Sequence, residues 1–91
     1  MNKSEFIDAV AKESGHTKTD ATRIIDAVLS VIEGALKREQ EVRLVNFGTF
    51  MVTHKKATTG RNPRTGETIQ IPATKVPRFK AGKGLKDAVA R

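Results

Sequence analysis

The segment Gly60-Arg61-Asn62-Pro63-Arg64-Thr65-Gly66 concentrates the most distinctive chemistry in the chain. Two arginines flank a proline, and a glycine closes each end. Arginine suits phosphate and the enhanced negative potential of a narrow nucleic-acid minor groove. Proline is compact, rigid and has no N–H to lose on burial, which suits a wedge between stacked bases. The same residues also make a hairpin turn: Asn62 can start it, Pro63 fixes φ at its second position, and Gly66 supplies a permissive backbone. On these residues alone the plain turn and the wedge stand level.

Other cations surround this segment. Lys55, Lys56 and Lys75 lie on either side of it, and Arg78, Lys80, Lys83 and Lys86 follow. The 91-residue chain carries a formal net charge of +7, unevenly placed. Residues 1–41 hold six Lys or Arg against eight Asp or Glu; residues 42–91 hold eleven against two. An ordinary, slightly acidic half is thus joined to a basic one, which points to a polyanionic partner.

Catalytic groups are scarce. There is no cysteine, His16 and His54 have no metal-ligand spacing, and Ser4, Ser14 and Ser30 have no evident base. The glycines of "GRNPRTG" and "GKG" lack the spacing of a nucleotide-binding loop. We therefore expect no enzyme, no cofactor and no metal. No secretory signal and no stretch of about 20 apolar residues is visible, so the expected setting is cytoplasmic, without a membrane partner.

The elements that must position these groups follow from hydrophobic period. Asn2, with Glu5 three residues on, caps a first helix that Gly15 ends. Thr17 with Asp20 starts a second, longer helix running to about Glu39, whose stripe of Ile24, Ile25, Val28, Leu29, Ile32 and Leu36 is too wide for the short first helix to cover. The surplus predicts a second chain. Alternation then replaces the helical period: Val42 and Leu44, a break at Asn46 and Gly48, then Phe50 and Val52. It fades toward Gly60 and returns at Ile69 and Ile71, while Pro72 and Pro77 predict edge positions or bulges. A short helix from about Lys83 closes the chain, with Leu85, Ala88 and Val89 as its apolar face. The predicted class is α+β: two N-terminal helices, a three-stranded antiparallel sheet with a long β-ribbon arm, and a short C-terminal helix. One domain spans 1–91, with a helical dimerisation part at 1–40, sheet at 41–81 carrying an arm at 53–75, and the last helix at 82–91. Val28, Leu29, Ile32, Leu36, Leu44, Phe47, Phe50 and Phe79 form the expected dimer core.

The stretches "MNKSEFIDAVA", "NFGTF" (46–50), "GRNPRTGE" (60–67) and "VPRFKAGKGLKDAV" (76–89) resemble the bacterial histone-like HU family, which includes integration host factor. The resemblance covers essentially the whole chain. It implies an intertwined homodimer, or heterodimer with a paralogue, carrying two β-ribbon arms. It also implies double-stranded DNA bound through the minor groove with little sequence preference, bent and compacted in the nucleoid. Pro63 matches the intercalating arm-tip proline, and Arg61, Asn62 and Arg64 match the tip contacts. Arg78, Lys80, Lys83 and Lys86 match the basic saddle, with Lys55 and Lys75 along the arm. Asn46 stands where many members have Gly, and it too tolerates a left-handed turn. Integration host factor subunits share the arm motif but usually extend past the point where this chain ends at Arg91. HU is therefore favoured over a site-specific, integration-host-factor-like role. Unstacking costs less in nicked, gapped or already bent DNA, so a preference for such DNA is expected. RNA is disfavoured by the absence of Tyr and Trp stacking platforms.

Overall fold

A computed structural model describes all of residues 1–91. The chain divides into two compact units, Met1–Gly34 and Ala35–Arg91. The first contains helix α1 (Lys3–Ser14) and most of helix α2 (Lys18–Lys37). The Asn2 Oδ1 accepts the Glu5 N–H at 2.9 Å, and Gly15 ends α1 at φ 75°, donating its N–H to the Ala11 carbonyl. Thr17 Oγ1 accepts the Asp20 N–H at 3.1 Å. Both predicted caps thus satisfy backbone donors that a helix start leaves open. Lys3 to Asp26 (2.8 Å) and Lys18 to Asp8 (2.7 Å) join the two helices by exposed ion pairs.

α2 ends at Lys37, two residues earlier than the stripe suggested. The Gln40 N–H reaches back to Ala35 O and the Glu39 N–H to Leu36 O, a Schellman closure. It needs a left-handed residue, and Glu39 fills that place at φ 58°. Its carboxylate pairs with His54 Nε2 at 2.5 Å.

The second unit is built on strands β1 (Val42–Leu44), β2 (Gly48–Lys55), β3 (Thr58–Arg61), β4 (Thr68–Ile71) and β5 (Thr74–Ala81), then helix α3 (Lys83–Ala90). The sheet order is β1-β2-β5, all antiparallel, with β3 and β4 forming a separate two-stranded ribbon. Each long strand expected for the arm is therefore interrupted, at Lys56–Ala57 on one side and Pro72–Ala73 on the other. Pro72 has no N–H for a ladder bond, which accounts for the gap on its own strand. The register nonetheless carries straight across: Lys55 faces Thr74 before the gap and Thr58 faces Ile71 after it. Pro77 lies in β5, an edge strand in this chain, as its lack of a donor predicts.

Between β1 and β2 the chain turns at Leu44–Phe47, where the Phe47 N–H donates to Leu44 O at 3.0 Å and Asn46 takes φ 63°. Gly48 follows, buried because the Phe79 ring lies where a side chain would be, with Lys80 O 2.7 Å from an ideal Cβ. Phe79 packs against Phe50 at 4.9 Å and Phe47 at 5.7 Å between ring centroids, both tilted.

The hydrophobic side chains buried in one chain are Ala11, Ala21, Ile25 and Ala35, three of them alanines. Of the expected dimer core, Val28 and Leu29 are half exposed, Leu44, Phe47 and Phe79 stand more than 40% exposed, and Ile32, Leu36 and Phe50 are intermediate. The apolar face expected on α3 is not covered either: Ala88 is exposed and Val89 stands 76% open, while Leu85 is intermediate. No helix is long and apolar enough to cross a membrane.

Candidate nucleic-acid interface

The arm tip is a turn held by four local hydrogen bonds. The Asn62 N–H donates to Glu67 O and the Gly66 N–H donates to Asn62 O, both at 2.8 Å. Asn62 Oδ1 accepts the Arg64 N–H at 2.9 Å, and Thr65 Oγ1 accepts the Glu67 N–H at 3.3 Å. Gly66 closes the loop at φ 72°, a region that costs a residue with a Cβ about 1–2 kcal/mol. Asn62 is thus the brace of the turn, with its backbone and side chain both engaged. Pro63 is left exposed at the apex, with Arg61 and Arg64 exposed on either side.

The basic face of the sheet is assembled by strand register. Side chains alternate between faces along a strand, and directly paired residues share a face. The row Val42, Phe50, Phe79 points to the aromatic side of the sheet. The next row, Arg43, Thr49, Lys80, points to the opposite side, as do the pair Met51 and Arg78 and the pair Lys55 and Thr74. Lys55, Arg78 and Lys80 therefore come together on one face. Lys75, paired with His54, alternates onto the aromatic side and is not part of that face. Arg43 is on it, although a search for clusters along the chain passes over this residue. The alternation of Val42 and Leu44 was the available signal, because it turns Arg43 outward.

Lys83 and Lys86 enter from α3, both exposed. The helix is docked by the Gly82 N–H donating to Phe47 O at 2.8 Å, and by Gly84 lying against the Asn46 carbonyl. Gly82 caps α3 without a side-chain bond, so the first turn presents unpaired N–H groups beside Lys83. Lys55, Lys75, Arg61, Arg64, Arg78, Lys80, Lys83 and Lys86 make no ion pair with a carboxylate. No group of His, Cys, Asp or Glu is arranged to hold a metal.

The chain as a whole, carrying these exposed cations and the braced proline, is similar to known proteins. A family model described as bacterial DNA-binding protein matches residues 1–90. The chain belongs to that family. Within it, the chain is similar to DNA-binding protein HU of Geobacillus stearothermophilus, 55% identical over 89 residues that cover 98% of this chain and 99% of that one. It is also similar to DNA-binding protein HRL53 of Rhizobium leguminosarum, at 53% identity with 98% of each chain covered. Among solved structures, a cocrystal of Anabaena HU with DNA superposes with a TM-score of 0.92 at 46% identity, covering 99% of this chain and 98% of that chain. The bacterial DNA-binding family thus accounts for helices, sheet and arm together.

Proposed function

We propose that the chain is an HU-type architectural protein of the nucleoid: it binds double-stranded DNA with little sequence preference and bends it. The observation that carries this is the set of exposed cations without carboxylate partners, placed on one sheet face, at the start of α3 and at the arm tip. Phosphate contacts of this kind supply affinity and position without reading sequence. Arg78, Lys80, Lys83 and Lys86 seat the duplex. The arm, with Lys55 near its root, follows the minor groove, where Arg61, Asn62 and Arg64 grip. Pro63 enters a base step and partly unstacks it. Unstacking costs a few kcal/mol per step and is offset by the contacts that bent DNA permits.

The working unit is a dimer, either of two identical chains or with a paralogue. A single chain that buries little beyond alanine and one isoleucine, and leaves Phe47, Phe79 and Leu29 open, has its remaining core in a second chain. The part before about residue 40 serves dimerisation and the part after it serves DNA. The reading includes no catalysis and no cofactor, and a cytoplasmic location on the nucleoid.

A gel-shift comparison at fixed salt tests the wedge. Nicked or gapped duplex has already lost part of its stacking and is expected to bind more tightly than intact duplex of the same sequence. Equal affinities would remove unstacking from the mechanism.

A further inference from the structure

We infer that Arg43 is an additional phosphate-binding residue, extending the basic face across the whole width of the sheet to β1, and that Glu41 tunes it. The inference rests on the DNA-binding function proposed above and adds a residue and a counter-charge to it. Arg43 pairs with Thr49, which pairs with Lys80, so the three occupy one row on the face that carries Arg78. Two strand spacings put Arg43 and Lys80 about 10 Å apart. Only the short, uncharged Thr49 lies between them, so a phosphate can approach either cation along the row.

Arg43 is exposed, and its guanidinium has one acidic neighbour, Glu41, with Nη2 3.8 Å from Oε2. That separation lies beyond hydrogen-bond range. An exposed pair of this kind is weak and screened, so the guanidinium is free to exchange partner. A phosphate offers it the paired geometry that the carboxylate at this distance does not. The position is also cheap to organise, because pairing of β1 with β2 fixes the Arg43 backbone while its side chain stays exposed.

The proposal separates into two substitutions of opposite sign. Arg43→Ala and Arg43→Gln each remove one phosphate contact per chain, so the slope of log K against log salt becomes shallower by about 0.9 for each substituted chain of the dimer, about 1.8 when both chains are identical. Between 0.05 M and 0.2 M salt the ratio of wild-type to variant affinity then shrinks about 3.5-fold for each substituted chain, about 12-fold when both are substituted. Glu41→Gln removes the competing carboxylate and is expected to tighten binding. Arg23→Ala, an exposed helical cation, makes the same change in net charge and serves as the control.

Fluorescence anisotropy with an intact duplex across a salt series, on variants whose circular dichroism matches wild type, reads all four. Shallower slopes for both Arg43 variants with a wild-type slope for Arg23→Ala support the assignment. Unchanged slopes for the Arg43 variants, or equal loss in Arg23→Ala, overturn it while leaving the DNA-binding function intact. Weaker binding by Glu41→Gln overturns the tuning role. Failure of the wild-type chain to bind duplex overturns the function and this inference together.

Discussion

Gly48 is expected to be the least replaceable small residue in the sheet, and Gly48→Ala tests why. Its backbone φ is ordinary, so the constraint is space alone. A Cβ there would overlap the Phe79 ring and stand 2.7 Å from the Lys80 carbonyl oxygen, where ordinary contact begins near 3.4 Å. The ring cannot simply swing away, because Phe47 and Phe50 pack against it. The carbonyl is backbone of the partner strand. To relieve the contact, β2 and β5 must part by about 0.7 Å at the Gly48–Ala81 pair. A ladder bond of about 2.9 Å would then stretch to about 3.6 Å, past the useful range. Loss of about two such bonds, or the equivalent strain of an overfilled site, costs about 2 kcal/mol. For a domain of this size that corresponds to a fall in Tm of about 8–16 °C. Differential scanning calorimetry at one fixed protein concentration measures it, the concentration being held because dimers melt by mass action. Gly60→Ala is the matched control: its Cβ would meet only the flexible end of Ile71, at 3.2 Å, and should move Tm by less than about 3 °C. If Gly48→Ala melts within 2 °C of wild type, or no lower than Gly60→Ala, the close approach of Phe79 and Lys80 is not what requires glycine.

Pro63→Ala should slow ring closure of short DNA fragments by the protein while leaving most of its affinity, since the exposed cations proposed to contact phosphate stay in place; unchanged closure rates would return Pro63 to a turn residue. Glu39→Gly removes a left-handed side-chain residue that costs about 1 kcal/mol and gives up an exposed pair worth about 0.2–1 kcal/mol. A rise in Tm of a few degrees is expected by calorimetry, and a fall of more than about 4 °C would mean that the tie to His54 outweighs the strain.

Local chemistry made much of the chain legible. Asn2, Thr17 and Gly15 act within four residues of themselves, so their capping roles could be read directly from sequence and appear in the structure as such. The turn at Asn62–Gly66 was readable for the same reason. The shortage of core was also visible, as a stripe wider than one short helix could cover. Pairing between distant strands was harder to read. The interruption opposite Lys56 and Ala57 depends on Pro72, fifteen residues away from Ala57 along the chain, and only the register brings the two strands' breaks together. Register likewise decides that Lys75 faces away from Arg78 and Lys80, and that Arg43 joins them. Charge counted along the chain cannot tell one face of a strand from the other. The end of α2 was misjudged because Glu39 occupies a left-handed place that sequence patterns reserve for glycine.

The unbroken alignment from Gly48 and Ala81 out to Arg61 and Thr68 has a consequence for how such an arm can change in length. Every pair is opposite its partner with the same offset, on both sides of the interruption. Removing one residue from a single strand would slide all the pairs beyond the cut by one and turn their side chains to the wrong side. The tip would then close on the wrong partners, because Asn62 and Glu67 meet only in the present alignment. The arm can therefore grow or shrink only in matched steps, and because faces alternate with a period of two, a step of two residues from each strand is what keeps every side chain on its present side. Each such step moves Pro63 by about 7 Å. Reach along DNA is in this sense a counted quantity, fixed by whole residue pairs and not by the flexibility of the ribbon.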